Sequence, residues 1–199
     1  MGPVVVFRPT SSQASAVFAW VVALVLLVGT VLADDVSSVL ALVAFPLVIA
    51  AFAWAVLWRP FVRIEADHVV VGNVLRTFTV PYSAIQSVET RWGLRIVTRD
   101  GRVDAWGAPA RSALARRRAR RHSDGLPPTI PEALTSTRAT GPVRHRSDAG
   151  LVADVVDLRR RALPATPLGQ AARVTRSTNV REVALLVGSL TLLVVALTT

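Results

Sequence analysis

Arg111, Arg116, Arg117, Arg118, Arg120 and Arg121 make the densest charge cluster in the chain, and a run of guanidinium groups does one kind of chemistry well: it attracts anions. Held near a membrane, such a cluster suffices to engage an anionic leaflet, so these six arginines are the candidate anionic-lipid contact, beside the plainer reading of a solvated, membrane-proximal charge run. Nucleic acid is disfavoured, because the aromatic stacking groups expected beside a single-strand site are absent from the cluster. A second candidate lies upstream. Arg91, Arg95 and Arg99 alternate with apolar residues around Trp92, a spacing that puts them on one sheet face near that ring, where an exposed Arg and Trp face could dock a protein partner; core or rim packing is the plainer reading of Trp92, Trp106, Tyr82 and Phe78.

Catalytic chemistry has little to work with. Glu65, Asp67, Glu89, Asp100 and Asp104 are spread over expected turns and strand faces and form no acid/base pair. His68, His122 and His145 lack metal-ligand spacing, and no cysteine is present, so thiolate metal sites, disulfides and cysteine nucleophiles are excluded. Nothing resembles a phosphate-binding loop, a dinucleotide glycine fingerprint, a nucleophile elbow or a zinc-protease helix. The expectation is a chain without catalytic residues, metal or cofactor.

The elements that must position these groups are apolar. Of 199 residues, 52% are hydrophobic and only 18% charged, with a mean hydropathy of +0.46, which places the chain in the membrane class. All 23 basic residues are arginine, a bias that a GC-rich genome explains, and the formal net charge is +10. Residues 14–33 run uncharged for the length that crosses a hydrocarbon core and are expected to span; a signal peptide is the competing reading. A second uncharged run, residues 36–58, follows after Asp34 and Asp35, so the two form a tight hairpin, with Pro46 in mid-span and Trp54 and Trp58 near the exit. Val183 to Leu197 is a third apolar run, preceded by Arg173, Arg176 and Arg181; residues 182–199 are read as a third span, against a buried or interfacial helix. Arginines flank the hairpin at Arg8, Arg59 and Arg63 while its turn is acidic. The reading is therefore a multi-pass plasma-membrane protein with residues 1–13 and the intervening domain cytoplasmic and the C-terminus outside.

Between the spans, residues 61–109 carry strand grammar. Strands are expected at Phe61 to Glu65, Val69 to Val71, Arg76 to Val80, Ile85 to Thr90, Leu94 to Thr98 and Arg102 to Trp106, about six in meander order, with turns at Asp67–His68, Gly72–Asn73, Tyr82–Ala84 and the Asp100–Gly101 hairpin. Residues 110–146 are expected to be an arginine-rich stretch, helical over Ser112 to His122, followed by a disordered linker dense in Pro, Gly, Ser and Thr. Residues 147–163 read as an amphipathic helix, capped at Ser147–Asp148, carrying Leu151, Val152, Val155, Val156 and Leu158 on one stripe and ended by Pro164.

A membrane hairpin followed by the strand pattern "VVV.N.LR", the strand ending in VPYSAI before "Q.V" and a last hairpin through "RDGR" resembles the actinobacterial PH-domain membrane protein family named after low molecular weight protein antigen 6. The likeness covers about a quarter of the chain, Phe61 to Pro109. It implies a small β-rich PH-like domain in which a bent antiparallel sheet packs against one C-terminal helix; here His68 stands where a turn glycine is common, and an insert separates the strands from the helix at 147–163, with Ser112 to His122 the alternative for the packed helix. Fold does not fix function. Two functions are expected from the whole: a membrane-anchored module binding a protein partner or an anionic lipid surface, or a structural subunit packing through its spans, for which Gly29 and Gly188 offer small surfaces.

Overall fold

A computed structural model describes residues 4–32, 39–110, 143–146, 148–162 and 173–198, and the chain divides into two compact units. One comprises Met1–Pro9 with Pro60–Ser177, the other Thr10–Arg59 with Thr178–Thr199.

The first unit is β-rich. Strand β1 (Val5–Arg8) precedes the apolar hairpin, and β2 (Phe61–Ile64), β3 (His68–Gly72), β4 (Arg76–Pro81), β5 (Ile85–Glu89), β6 (Leu94–Thr98) and β7 (Gly101–Ala105) follow it. Then come β8 (Val143–Arg146), helix α3 (Ala149–Ala162; α1 and α2 belong to the other unit) and β9 (Thr175–Thr178). One sheet has the order β8-β1-β2-β3-β4-β9, and a second has the order β5-β6-β7. Pairing is antiparallel from β1 to β4 and from β5 to β7, whereas β8 joins β1 in parallel. The period-2 pattern accounts for the strands. Val62 and Ile64, Val69 and Val71, and Leu94 and Ile96 point inward, and with Phe7 and Val80 they form one core.

Helix α3 closes that core. Val152, Val155 and Val156 are fully buried against it, while Leu158, expected on the same stripe, is exposed. The Asp148 carboxylate accepts from the Gly150 N–H at 3.2 Å, capping the start as expected, and α3 packs on β5 and β6. Its far end is fastened by Arg159, whose Nη1 donates to the Glu65 carbonyl at 3.0 Å; the buried Tyr82 hydroxyl donates to the same oxygen at 2.9 Å.

Four sequence expectations are corrected. The first apolar helix, expected from residue 14, starts at Thr10, and the segment before it, read only as an N-terminus, holds strand β1 with Val5 and Phe7 fully buried. Val143–Arg146, placed by sequence in a disordered linker, is a strand completed by its backbone pairing to β1. The expected single meander is split between two sheets by the 3-10 turn Tyr82–Ala84. His68, expected in a turn, opens β3 opposite Pro81. The proposed helix over Ser112 to His122 lies outside the described residues.

The second unit is helical: α1 (Thr10–Leu32), α2 (Val39–Phe52), which continues as a π-helical turn over Ala53–Trp58, and α4 (Val180–Thr198). Two helices, Thr10–Gly29 and Val180–Thr198, are long and apolar enough to cross a membrane; the remaining apolar helix, Leu42–Trp58, is shorter among the described residues. Helix α2 packs against both α1 and α4. The side chains are distributed inside out relative to a soluble bundle. The buried hydrophobics described in this unit are Ala16, Ala23, Ala44, Ala53, Ala55 and Ala196 together with Pro46, while Phe18, Val25, Leu32, Phe45, Leu190 and Leu197 are exposed. Small residues at the contacts and large ones outside are what helices packed in lipid require.

Candidate functional site

The helix-bearing strands give the β unit two distinguishable ends. Strand β1 leaves for α1 at Arg8, and Phe7 is level with Val62 across the antiparallel pair, so β2 begins at the same end with Phe61. Phe61 faces Gly72, and Gly72 faces Thr77. The Ser177 hydroxyl lies 3.5 Å from the Thr77 carbonyl, so β9 runs out into α4 at that end too.

Three contacts tie the second sheet to this end. Asn73, just past β3, uses its side-chain amide as a strand would: Nδ2 donates to the Asp104 carbonyl at 2.7 Å, and Oδ1 accepts from the Trp106 N–H at 3.0 Å. Gly107 lies so close to Phe61 that a Cβ there would sit 2.6 Å from the Phe61 Cα, which only glycine avoids. Gly72 leaves its space to the Phe61 ring, which also stacks under the guanidinium groups of Arg8 and Arg63. The loop between β5 and β6 is held by the Leu94 N–H, which donates to the Ala108 carbonyl at 2.9 Å, and Gly93 takes φ +137° to make that approach.

An open groove of about 350 Å³ results, lined by Glu89, Arg91, Trp92, Gly93, Leu94, Arg95, Asp104, Ala105, Trp106 and Pro109. Trp92 is 84% exposed and Trp106 59% exposed, unusual for the largest apolar side chains. Both carboxylates are paired with Arg95. Arg95 Nε donates to Asp104 at 2.5 Å and its Nη1 lies 3.9 Å from Glu89, while the Arg91 guanidinium sits 5.5 Å from the centre of the Trp92 ring. The hydrogen bond to Asp104 raises the pKa of Arg95 further, so that cation is permanent.

Of the expected partner face, Arg91, Trp92 and Arg95 therefore come together and Arg99 does not. It occupies the β6–β7 turn, a strand length of about 15 Å from Leu94. The arginines Arg111, Arg116, Arg117, Arg118, Arg120 and Arg121 lie outside the described residues. Trp106, which the sequence reading treated as packing, is the groove's second wall; the hint to its exposure was its position directly after a strand and before Gly107.

At the opposite end Glu65, Asp67 and His68 meet. His68 Nδ1 is 2.7 Å from Asp67 and Nε2 is 3.4 Å from Glu65, and the bond to His68 holds the exposed Asp67 carboxyl below its ordinary pKa. Among the described residues no group of three His, Cys, Asp or Glu is arranged to hold a metal ion. Burial pushes the neighbouring Tyr82 phenol up to about 12, with Arg159 opposing that shift. Both folded and unfolded chains keep the phenol proton below pH 10, so the stability is intact there. Between pH 10 and about 12 only the folded form retains it, and stability should fall by up to about 2–3 kcal/mol. Thermal melts over that window should show the loss in the native chain, whereas Tyr82→Phe should remove it while lowering stability at neutral pH by about 1 kcal/mol.

No family model matches the chain, and no curated protein or solved structure matches it significantly.

Proposed function

We propose that this protein is a membrane-anchored, PH-like interaction module without catalytic activity, whose contact surface is the groove between Trp92 and Trp106. One observation carries the reading: two highly exposed tryptophans flank an open groove whose carboxylates, Glu89 and Asp104, are already engaged by Arg95, while Arg91 lies over the Trp92 ring. Such a groove binds chiefly through aromatic and aliphatic area.

The PH-like assignment is supported by two antiparallel meanders, β1–β4 and β5–β7, packed by helix α3, which follows them. Anchoring is supported by the apolar, outward-facing α1 and α4 and by the alanine contacts between helices. The arginines that flank the helices and the acidic turn of the hairpin favour a cytoplasmic β unit with the C-terminus outside.

The alternative, a structural subunit acting through its helices, draws on Gly29 and Gly188, beside which a methyl group would meet nothing within 4 Å. Photo-crosslinking in native membranes separates the two. A crosslinkable residue at position 92 or 106 should capture adducts that one at position 99 does not. Adducts arising only from positions 29 and 188 would replace the module with the structural subunit.

A further inference from the structure

We infer that the Trp92–Trp106 groove is occupied by the interfacial layer of the bilayer itself, the two tryptophans being aromatic anchors of the β unit on the membrane that holds α1 and α4. This rests on the membrane reading above and names the occupant of the same site.

The first argument is covalent. All three connections between the β unit and the apolar helices leave from one end of its sheets, at Arg8, Phe61 and Thr178. Thr10 opens α1 two residues after Arg8, Val180 opens α4 two residues after Thr178, and Phe61 is three residues beyond Trp58, the last helical residue before it. Three residues span at most about 10 Å. The interfacial layer on each side of the hydrocarbon core is itself roughly 5–8 Å deep. An end tethered three times on such short leashes stays in or beside that layer.

The second argument concerns what this end displays. Trp106 is adjacent to Gly107, which abuts Phe61, and Trp92 is held near it through the bond from Leu94 to Ala108. Leu75, in the β3–β4 turn beside the Asn73 clamp, is 54% exposed there as well. The other exposed large apolar side chains described in the β unit are Val4 and Leu158, which lie towards the opposite end; Leu158 precedes Arg159, the residue bound at the Glu65 corner. Exposed apolar area is thus concentrated where the helices leave.

The third argument is charge. Glu89 and Asp104 face Arg95, so they do not oppose an anionic surface as free carboxylates would, while Arg76 and Arg91 are exposed at the same end. The acidic Glu65, Asp67 and Asp100 occupy turns at the other end. Tryptophan rings favour the headgroup level, and each arginine near an anionic leaflet adds about 1 kcal/mol. A protein partner would leave the coincidence of exposed tryptophans with the three exits unexplained.

The test uses the full chain labelled with 5-fluorotryptophan in nanodiscs of phosphatidylcholine and phosphatidylglycerol, each of the five fluorine resonances being assigned by a single Trp→Phe substitution. Trp92 and Trp106 are expected to lose signal to a lipid carrying a nitroxide near the top of its acyl chain and to keep it in a soluble gadolinium chelate. Loss to the chelate and not to the lipid overturns the inference. Shelter from both also overturns it, and shows the groove covered by protein instead. Trp20, Trp54 and Trp58 report separately on the anchor: if they too ignore the lipid label, the membrane reading fails, whereas their response with a silent Trp92 and Trp106 removes only the inference.

Discussion

Phe7→Ala should lower the stability of the β unit by about 3–5 kcal/mol, the usual result of emptying a fully enclosed aromatic site. Phe7 is completely buried in the core with Val62, Val69, Val71 and Val80, although it stands only three residues before the first apolar helix. Since about 1.4 kcal/mol is a factor of ten in the folded ratio, the variant should be cleaved far faster in pulse proteolysis of the protein in detergent. Val4, next to the same strand and 37% exposed, is the control, and its alanine variant should change stability by less than about 0.5 kcal/mol. Equal resistance of Phe7→Ala and the native chain would mean that β1 is not part of the sheet. A large effect would show that the apolar hairpin is inserted between two paired strands, so that the β unit cannot be completed until α1 and α2 are in place.

Strands β2, β3, β6 and β7 are legible in the sequence because each satisfies two local signals at once: alternation along one sheet face and a turn former at a boundary. The Tyr82–Ala84 turn and the cap of α3 were legible for the same local reasons. Strand β1 was not. Four residues are too few for a period, and the partner that makes them a strand, β2, lies beyond the whole apolar hairpin. Strand β8 is hidden differently. Three of its four residues, VRHR, are charged or polar, and only backbone pairing to β1 makes it a strand. The site was half visible. Arg91, Arg95 and Arg99 share a face only if one extended segment runs through all three, whereas β6 covers 94–98 and leaves Arg91 in one loop and Arg99 in the turn at the other end. The Asn73 clamp and the approach of Gly107 to Phe61, which set Trp106 in place, are long-range and leave no local signal.

Glu182→Ala should destabilise the helical unit by about 3–5 kcal/mol, and the double variant Arg59→Met with Glu182→Leu should recover most of that loss. Arg59 follows the π-helical turn of α2, and its Nε donates to Glu182 in the first turn of α4. Glu182 is 8% exposed, and the Arg59 Nη1 is buried without a hydrogen-bond partner. Removing the carboxylate would leave a part-buried guanidinium, its Nη1 fully enclosed, with no counter-charge, which is where the large cost of a broken buried pair arises. Replacing both partners by apolar groups removes the uncompensated charge along with the attraction, so the double variant isolates one from the other. The measurement is a titration with sodium dodecyl sulfate followed by tryptophan emission, because Trp20 stacks on Trp54 at 6.4 Å and contacts Trp58 at 5.2 Å, with its Nε1 donating to the Ala50 carbonyl. A native-like midpoint in Glu182→Ala would place the pair in water. A double variant no better than the single one would mean that the ion pair supplies net stability rather than orienting α4 on α2. Glu182 is the acidic residue of the first turn of α4, at the positive end of the helix, so the same carboxylate answers both Arg59 and the helix dipole.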